Sequence, residues 1–440
     1  MKSCELRATR SVCPVCLKPL SASIKRRDGA VYMEKSCPDH GAFAAPVWRD
    51  HVDLERWRGC IPEIRDIDAP GCPHGCGICD GHQQGVCCVL LEVTRRCNLH
   101  CAYCFADSDD GPEPTPDELK RALEMILSGS DKPLIQFSGG EPTLRDDLPD
   151  LIAYSRSLGC KYTQLNSNGL RLARDEAYVR ALAEAGLSFV FMQFDGVDDE
   201  VYRALRAAPL YEDKLAAIRM CDKYKIGVTL VPTVVRGVND GQLGDIVRLG
   251  ASLSPAVRGV HFQPVSYFGR YPSRPPDEAR YTLDELLAAL EEQAGVPLPA
   301  LLPSRCDHPL CGFHGSFLVN GDSLIALSQA DTEAEAAETT AQQNREYVGR
   351  RWSREDDDCC DDDGNGDCCC DDDDCCCEED LDTFDGFLNG IRKHGFTLSA
   401  MVFQDAMNLD LERLRRCSLH VYDNGVLKPF CARYLSTVQP

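Results

Sequence analysis

Short apolar runs alternate with amphipathic stretches through the middle of the chain. The runs lie at residues 89–93, 134–137, 162–165, 189–194, 228–234 and 260–262. Between them, apolar residues recur every three or four positions, which is typical of helices with one buried face. Strands separated by such helices pair in parallel, and six of these units can curl around a common core. The pattern predicts an α/β fold with a partial (β/α)6 barrel at residues 89–270, whose active face is built from the loops that follow the strands.

The segments before this region lack the alternation. Residues 1–60 contain polar, strand-like stretches and two turns with cysteines, but too few apolar residues for an independent core. Residues 61–88 are rich in Gly, His and Cys and follow neither the helical nor the strand period. We expect a small metal-binding domain followed by a loop that carries ligands.

A C-terminal lobe is predicted in two parts, residues 271–354 and 381–440. The first part has a helical pattern at 283–293, and the second has helical patterning as far as residue 414. A hairpin pattern follows, with an Asp-Asn-Gly turn at 423–425. We expect this lobe to fold against the barrel and to carry further metal ligands.

The two parts of the lobe are separated by a low-complexity insert at residues 355–380. It contains 15 acidic residues and eight of the 27 cysteines, with no Lys or Arg. A segment with almost nothing to bury is expected to be disordered. The alternative is a metallothionein-like store for soft metals. We assign the insert no catalytic part.

Most of the net charge of −23 comes from this insert. An acidic chain has no electrostatic basis for binding nucleic acid or an anionic membrane, because Lys and Arg supply the affinity for phosphate. We therefore expect no nucleic-acid partner, and only peripheral membrane contact stays open. No run of 18 apolar residues occurs, so no transmembrane helix is expected.

The cysteines indicate metal binding in a reducing compartment. The first residues lack the apolar stretch of a signal peptide, so we expect a cytoplasmic protein with reduced thiols. Clustered thiols at short spacings are then candidate metal or iron–sulfur ligands.

The sharpest motif is a CxxxCxxC loop directly after the first predicted strand. Cys97, Cys101 and Cys104 offer three thiolates that can surround one cubane cluster and leave one iron open. The alternatives are a zinc knuckle or a ferredoxin whose fourth cysteine lies elsewhere. The next strand ends in Ser-Gly-Gly-Glu-Pro, with Gly139, Gly140 and Glu141.

With these two motifs on consecutive strands, the chain resembles the radical S-adenosylmethionine (SAM) superfamily. The resemblance implies that Cys97, Cys101 and Cys104 hold a [4Fe–4S] cluster whose open iron is chelated by SAM. It also implies that the Gly139-Gly140 backbone and Glu141 contact the methionine amine of SAM. One electron from a low-potential donor, a ferredoxin or flavodoxin, would then release methionine and a 5′-deoxyadenosyl radical.

Polar residues at later strand ends are further candidates for cofactor binding. Asn166 and Asn168 resemble the family's ribose-contacting segment, although a polar strand-end turn is an alternative. Gln193, Asp195 and Gln263 also end strands on this face, and their roles stay open.

Two further groups of cysteines predict auxiliary clusters. The first is Cys72, Cys76, Cys79 and Cys87, for which zinc is the alternative to iron and sulfide. The second is Cys306, Cys311, Cys417 and Cys431, for which four unrelated core thiols are the alternative.

Over nearly its full length, the chain resembles the group that contains archaeal tetraether lipid synthase and the class D radical SAM methyltransferases of pterin biosynthesis. The motifs that carry this resemblance include CPVC, CPDHG, CPHGCGIC, CNLHCAYCF, GGEPTLR, LNSNG, MQFDG, CDHPLC and the final hairpin. It implies a rubredoxin-like N-terminal site for one Fe or Zn ion at Cys13, Cys16, Cys37 and His40, and two auxiliary clusters. His40 could instead be a solvent-facing turn residue.

The leading hypothesis is a radical SAM enzyme that forms carbon–carbon bonds at unactivated carbon, with lipid alkyl chains as substrate. One alternative is a class D methyltransferase acting on a pterin-like heterocycle, a small molecule. A second alternative, from another class, is an iron–sulfur electron-transfer or metal-storage protein, which has no need of Gly139, Gly140 and Glu141. A long apolar tunnel would favour lipid chains, whereas a short polar pocket would favour the heterocycle.

Overall fold

The computed structural model describes residues 4–59, 71–75, 77–108, 111–327, 339–354 and 383–438. Two β-sheets organise these residues. Cys76 and the acidic insert at 355–380 lie outside the described residues, so the predictions made for them stay predictions.

The smaller sheet is an antiparallel meander at the N-terminus. It consists of β1 (Cys4–Val12), β2 (Pro19–Arg27), β3 (Ala30–Cys37) and β4 (Gly41–Trp48), followed by the short helix α1 (Leu54–Arg58). Apolar residues alternate along β3, so one face of the sheet is buried. The buried Met33 and Trp48 belong to the same apolar cluster as the barrel helices. This domain therefore shares the core of the larger one.

Six parallel strands form the centre of the larger sheet. The strands of this region are β5 (Cys88–Thr94), β6 (Leu134–Gly139), β7 (Thr163–Ser167), β8 (Phe189–Gln193), β9 (Gly227–Val231), the two-residue β10 (Thr233–Val234) and β11 (Val257–Pro264). The order β5-β6-β7-β8-β9-β11 is parallel throughout. Each predicted apolar run overlaps a strand, which confirms the predicted α/β fold with six βα units.

Helices cover the outer face of these strands. They are α2 (Pro116–Ile126), α3 (Leu148–Ser157), α4 (Glu176–Glu184), α5 (Asp199–Arg206), α6 (Tyr211–Lys223) and α7 (Leu243–Ser252). Thr115 and Glu118 form a capping box that begins α2, because each side chain bonds the other's backbone N–H. Of these helices, the amphipathic pattern did not predict α5, which is short and has a buried arginine on its apolar face.

The C-terminal lobe differs from the prediction in two places. Its elements are α8 (Leu283–Ala294), β12 (Leu302–Pro303), β13 (Gly312–Asn320), β14 (Ser323–Ala326), α9 (Ala341–Trp352), α10 (Phe384–His394), β15 (Gly395–Met401), α11 (Leu411–Arg415), β16 (Leu419–Asp423), β17 (Val426–Pro429) and α12 (Phe430–Arg433). Helix α9 was not predicted. The helical prediction is wrong for β15, where Phe396, Leu398 and Ala400 are buried with the strand period of two.

Both edges of the parallel core are extended by the C-terminal segment. Strand β15 pairs in parallel with β11 and antiparallel with β13, and β16 pairs in parallel with β5 at the opposite edge. Gly259 lies against the backbone of Thr397, where a Cβ would collide with the carbonyl oxygen. The hairpin of β16 and β17 is confirmed, and its turn has positive φ at Asn424 and Gly425.

Helix α9 covers the amino-terminal ends of the barrel strands. Gly349 packs on the ring of Tyr162, which precedes β7, and Gly227 at the start of β9 lies against the carbonyl oxygen of Trp352. Arg258 Nε, at the start of β11, donates to the carbonyl of Arg351 at 3.1 Å. The inside of the barrel is therefore closed at this end, and its open end faces the loops that follow the strands. In the described part of the chain, no helix is long and apolar enough to cross a membrane.

Candidate active site

The loop that follows β5 carries Cys97, Cys101 and Cys104. All three are half-buried and line one large cavity. Cys104 and Arg270 exchange two backbone hydrogen bonds of 2.9 Å, which fix the loop to the chain after β11. Burial raises the pKa of Cys97 to about 11. A bound metal would offset that burial and favour the thiolate, so this donor set fits an iron–sulfur cluster.

The loop with Cys97, Cys101 and Cys104, named the cluster loop after its predicted ligand, lies close to the sheet because two residues at the end of β6 are glycines. Gly139 has φ +127°, and a Cβ there would collide with the carbonyl oxygen of Thr94. A Cβ on Gly140 would collide with the carbonyl oxygen of Arg96, immediately before Cys97. The sequence suggested that these glycines let the backbone approach a ligand. In the structure, they also let β6 approach the backbone that leads into the cluster loop.

The buried carboxylate of Glu141 links the ends of two strands through hydrogen bonds. Its Oε1 accepts hydrogen bonds from Thr143 N at 3.1 Å, Thr143 Oγ1 at 2.6 Å and Ser167 Oγ at 2.8 Å. Its Oε2 accepts from Asn168 N at 2.7 Å. The carboxylate therefore ties the end of β6 to the end of β7, a role that the sequence did not indicate. The predicted contact with the SAM amine stays a prediction.

Asn166 and Asn168 both line the cavity, with different partners. Asn168 Nδ2 donates to Asn98 Oδ1 in the cluster loop at 2.7 Å, and its own Oδ1 accepts from Leu170 N at 3.0 Å. Asn168 thus makes the polar strand-end turn that was the alternative, while it also contacts the cluster loop. Asn166 Oδ1 accepts from Gln164 Nε2 at 2.6 Å.

Gln193 and Asp195 belong to a buried charged network. Arg206 donates to both carboxylate oxygens of Asp195, from Nε at 2.7 Å and from Nη2 at 2.6 Å. Gln193 donates to the same carboxylate, and its Oε1 accepts from Lys214 Nζ at 3.1 Å. Burial lowers the pKa of Lys214 to about 8. Both ends of the Gln193 amide are thus occupied, and Asp195 does not line the cavity.

Arg206 and Lys214 were not among the predicted site residues. Each lies on the buried face of its helix, α5 or α6. A charge on an apolar helix face was the available signal in the sequence, because such a group needs a buried partner.

The N-terminal candidate ligands converge. The ligand atoms of Cys13, Cys16, Cys37 and His40 all lie within 4.8 Å of one another, and across the described ranges no other group of three or more potential ligands is as close. His40 Nδ1 is 3.6 Å from Cys13 Sγ and 3.5 Å from Cys37 Sγ, so this exposed histidine points to the thiols and not to solvent alone. Three thiols and one imidazole fit a tetrahedral mononuclear metal site.

Among the remaining described cysteines, one contact joins members of the two predicted sets, while the sets themselves stay predictions because Cys76 lies outside the described residues. Cys87 packs against Cys306, with Asn344 Nδ2 donating to Cys87 Sγ at 3.3 Å. Burial raises the pKa of the Cys417 thiol, and the charges of Asp307, Cys431 and Cys311 act in the same direction.

Cys87 thus lies next to a member of the other predicted set. Cys72 contacts the apolar cluster that contains Cys431, and Cys79 is exposed. The spacing of cysteines in the sequence could not show the contact between Cys87 and Cys306, because folding brings together segments that are distant along the chain.

A single cavity of about 740 Å³ extends from the cluster loop into the barrel. The cysteine loop, Gly139, Gly140 and Glu141 line one end, and Tyr347, Val348 and Trp352 of α9 line the other. Most of the wall between these ends is apolar, but six polar side chains from alternate strand positions are set into it: Gln136, Gln164, Asn166, Gln193, His261 and Gln263. The cavity is therefore neither a purely apolar tunnel nor a small pocket beside Gln193, Asp195 and Gln263.

Two sequence profiles match the chain. That of the radical SAM superfamily matches residues 91–250, and that of the HMPTM N-terminal zinc ribbon domain matches residues 5–49. The second match covers the sheet that brings Cys13, Cys16, Cys37 and His40 together.

Among similar proteins, a 7,8-dihydro-6-hydroxymethylpterin dimethyltransferase of Methanocaldococcus jannaschii is 31% identical over 470 aligned positions, which cover 97% of this chain and 92% of that protein. The Fe-coproporphyrin III synthase of Methanosarcina barkeri is 31% identical over 50% of this chain and 56% of its own length. The solved structure of Streptococcus suis SuiB bound to S-adenosylmethionine aligns with 48% of this chain and 47% of its own, at 14% identity and a TM-score of 0.40. Because the chain matches the methyltransferase over 97% of its own length and the radical SAM profile over residues 91–250, it belongs to the radical SAM superfamily, whose enzymes use SAM and a [4Fe–4S] cluster.

Proposed function

We propose that this radical SAM enzyme is a methyltransferase that acts on carbon of a dihydropterin-like heterocycle. The observation that carries the proposal is the match to the pterin dimethyltransferase, which spans 97% of this chain and includes the N-terminal metal domain. The Fe-coproporphyrin III synthase and a probable GTP 3′,8-cyclase match half of the chain or less. The accessory domains are thus part of what is shared with the methyltransferase.

The cavity wall supports a heterocycle better than a lipid chain. Gln136, Gln164 and Gln263 present amide groups to the inside of the barrel. An alkyl chain offers no hydrogen-bond partner, so each buried amide beside it would lose its hydration without compensation. A pterin ring carries N–H groups, ring nitrogens and a carbonyl that can replace that hydration. The comparisons likewise support the methyltransferase alternative better than the coupling of lipid chains.

Each part of the site has a role in this proposal. Cys97, Cys101 and Cys104 would hold the [4Fe–4S] cluster, which when bound would supply the electron for the reductive cleavage of SAM. Gly139, Gly140 and the loop braced by Glu141 hold SAM at the open end of the barrel. The barrel wall and α9 exclude water from the interior, so that a substrate carbon reacts with the radical before solvent does. The hydrogen atom removed from that carbon ends on 5′-deoxyadenosine.

Two auxiliary metal sites and one mononuclear site complete the proposed enzyme. Cys87 and Cys306 line the cavity, so a cluster at this pair would lie beside the substrate. We assign the second auxiliary site to Cys311, Cys417 and Cys431, of which Cys417 packs against the apolar cluster that contains Cys431. The N-terminal ligands Cys13, Cys16, Cys37 and His40 hold one zinc or iron ion. A ferredoxin or flavodoxin is the proposed electron donor.

The test is an anaerobic reaction of the reconstituted enzyme with SAM, dithionite and 7,8-dihydro-6-hydroxymethylpterin. We expect more 5′-deoxyadenosine when the pterin is present than when it is absent, and a pterin product heavier by one or two methyl groups, measured by mass spectrometry. SAM labelled in its methyl group identifies the source of the added carbon. Extracted alkyl lipids serve as the competing substrate. Lipid coupling without any change to the pterin would overturn the proposal.

A further inference from the structure

An unpartnered amide oxygen lies deep inside the barrel. Gln164 on β7 has no exposed surface, and its Nε2 donates to Asn166 Oδ1 at 2.6 Å. Its Oε1 has no hydrogen-bond partner among the described residues, although Gln164 lines the cavity. A buried carbonyl without a partner costs stability, so such groups in native proteins have a water or a ligand as partner.

The neighbouring amide in the barrel wall differs in this respect. Gln193 also lines the cavity, but Asp195 and Lys214 occupy both ends of its side chain. Gln193 is therefore fixed by the protein, whereas Gln164 has an acceptor left for a ligand. The bond to Asn166 restrains the Gln164 side chain, so this acceptor is held in place before a ligand binds.

The position of Gln164 in the sheet places this acceptor away from the cofactor. Gln136 on β6 is its direct partner in the parallel ladder, and both side chains line the cavity. Gln136 lies three residues before Gly139, a distance of about 10 Å along a strand. The space between the two amides and the glycines that end β6 can hold a fused two-ring system, with one end at the amides and the other toward the cluster loop.

Aromatic side chains line the same deep part of the cavity. The Phe191 ring lies 5.0 Å from the rings of both His261 and Trp352. Trp352 Nε1 donates to Thr397 Oγ1, and His261 Nδ1 bonds Ser399 Oγ, both at 2.9 Å, so these rings are fixed in orientation. Flat, rigid and largely uncharged surfaces of this kind favour a planar ring.

We propose that Gln164 is a specificity-determining residue, whose Oε1 accepts a hydrogen bond from the exocyclic amino group of a planar aminopyrimidine ring bound against Phe191 and Trp352. This inference rests on the proposed function and deepens it, because it gives the orientation of the pterin. The aminopyrimidine half lies deep in the barrel near Gln136, and the half that carries the reacting carbon points to the cluster loop.

The test measures binding to the anaerobic holoenzyme by calorimetry. The probes are 7,8-dihydro-6-hydroxymethylpterin and its analogue without the 2-amino group, each with wild type and with Gln164→Leu. We expect wild type to prefer the amino compound by about tenfold to a hundredfold. In Gln164→Leu, the amino compound should bind about as weakly as the analogue, so that the preference falls to within about twofold.

Two further variants separate this role from a structural one. Gln164→Glu keeps an oxygen that can accept from the amino compound. In its protonated form, this side chain can also donate to Asn166. The preference for the amino compound that Gln164→Leu loses should therefore be present in Gln164→Glu. Gln293→Leu removes an amide that does not line the cavity and should leave the preference unchanged. Substrate-independent cleavage of SAM by each variant shows that the barrel and cluster are assembled.

The outcomes separate the two proposals. If Gln164→Leu keeps the full preference, or if Gln164→Glu fails to restore it while still cleaving SAM, the role of Gln164 is overturned and the methyltransferase proposal stands. If wild type binds neither compound, the proposed function is overturned and the ring site with it.

Discussion

Arg206 and Asp195 form a buried, bidentate ion pair next to the cluster loop. Both guanidinium-to-carboxylate hydrogen bonds are 2.7 Å or shorter, and the side chains are 6% and 0% exposed. Arg206 Nη1 also donates to the carbonyl of Tyr103, between Cys101 and Cys104. The pair therefore connects the end of β8 to the loop that carries the cluster ligands.

Replacing Arg206 by Met should destabilise the protein by about 3–5 kcal/mol, because Asp195 is then buried without its partner. Urea unfolding of the anaerobic holoenzyme measures the loss. Arg174→Met breaks an exposed pair with Asp213 and should cost less than about 1 kcal/mol. Equal losses in the two variants would contradict the assigned importance of the buried pair.

Each of the variants Cys97→Ala, Cys101→Ala and Cys104→Ala should abolish cleavage of SAM, since these three thiols are the proposed ligands of the cluster. Chromatography of 5′-deoxyadenosine after anaerobic reconstitution measures this. Cys221→Ala is the matched control, because this buried thiol packs in the apolar core and does not line the cavity. Full cleavage by any of the three loop variants would remove that cysteine from the ligand set.

Cys37→Ala should lower the zinc or iron content by one equivalent per chain and leave cleavage of SAM largely intact, since the N-terminal ligands form a separate site. Elemental analysis of the purified protein counts the metal. Cys4→Ser changes an exposed thiol of the same sheet that is outside the ligand group, and it should lose no metal. An unchanged metal content in Cys37→Ala would argue against the site.

The grouping of the other cysteines is testable by combining variants. If Cys87 and Cys306 hold the same cluster, Cys87→Ala and the double variant Cys87→Ala/Cys306→Ala should each lose about four irons. Cys87→Ala/Cys311→Ala should lose about eight, because its two residues belong to different sites. Iron and sulfide assays give the counts. Equal iron contents for the two double variants would instead favour the grouping predicted from the sequence.

The stability of the enzyme should rise with pH between about 8 and 10.5 through Lys214. Burial lowers the pKa of this group to about 8, with Arg206 acting in the same direction and Asp195 and Glu141 opposing it. Above pH 8, the folded state has lost a proton that the unfolded chain keeps up to its ordinary pKa, so unfolding is increasingly disfavoured.

Lys214→Met should make this rise about 3 kcal/mol smaller without removing it, because Lys35, whose pKa burial lowers to about 7, contributes a rise of the same sign. Urea midpoints at pH 7.5, 9 and 10.5 give the slope. Lys223→Met removes an exposed lysine and should keep the slope of wild type. A rise of the same size in Lys214→Met would show that other groups cause it.

The parts of the structure that follow from local pattern were predictable. The apolar runs located the six parallel strands, and the spacing of Cys97, Cys101 and Cys104 singled out a loop that lines the cavity. Pairings across the chain were not predictable, because nothing near Cys87 in the sequence specifies Cys306 as its neighbour. The seven residues of β15 were missed since a short strand directly after a helix continues its apolar pattern.

One C-terminal segment supplies β15 at one edge of the parallel core and β16 at the other, and this links the stability of the two edges. Residues 395–429, named the clasp, pair with both edges of the parallel core. Neither edge can therefore separate without disturbing this one stretch of chain. Loss of this clasp would expose two unpaired strand edges at once, and such edges recruit other chains. The barrel and the clasp should therefore melt together as one cooperative unit, and a chain that ends before residue 395 should aggregate instead of forming a smaller, active barrel.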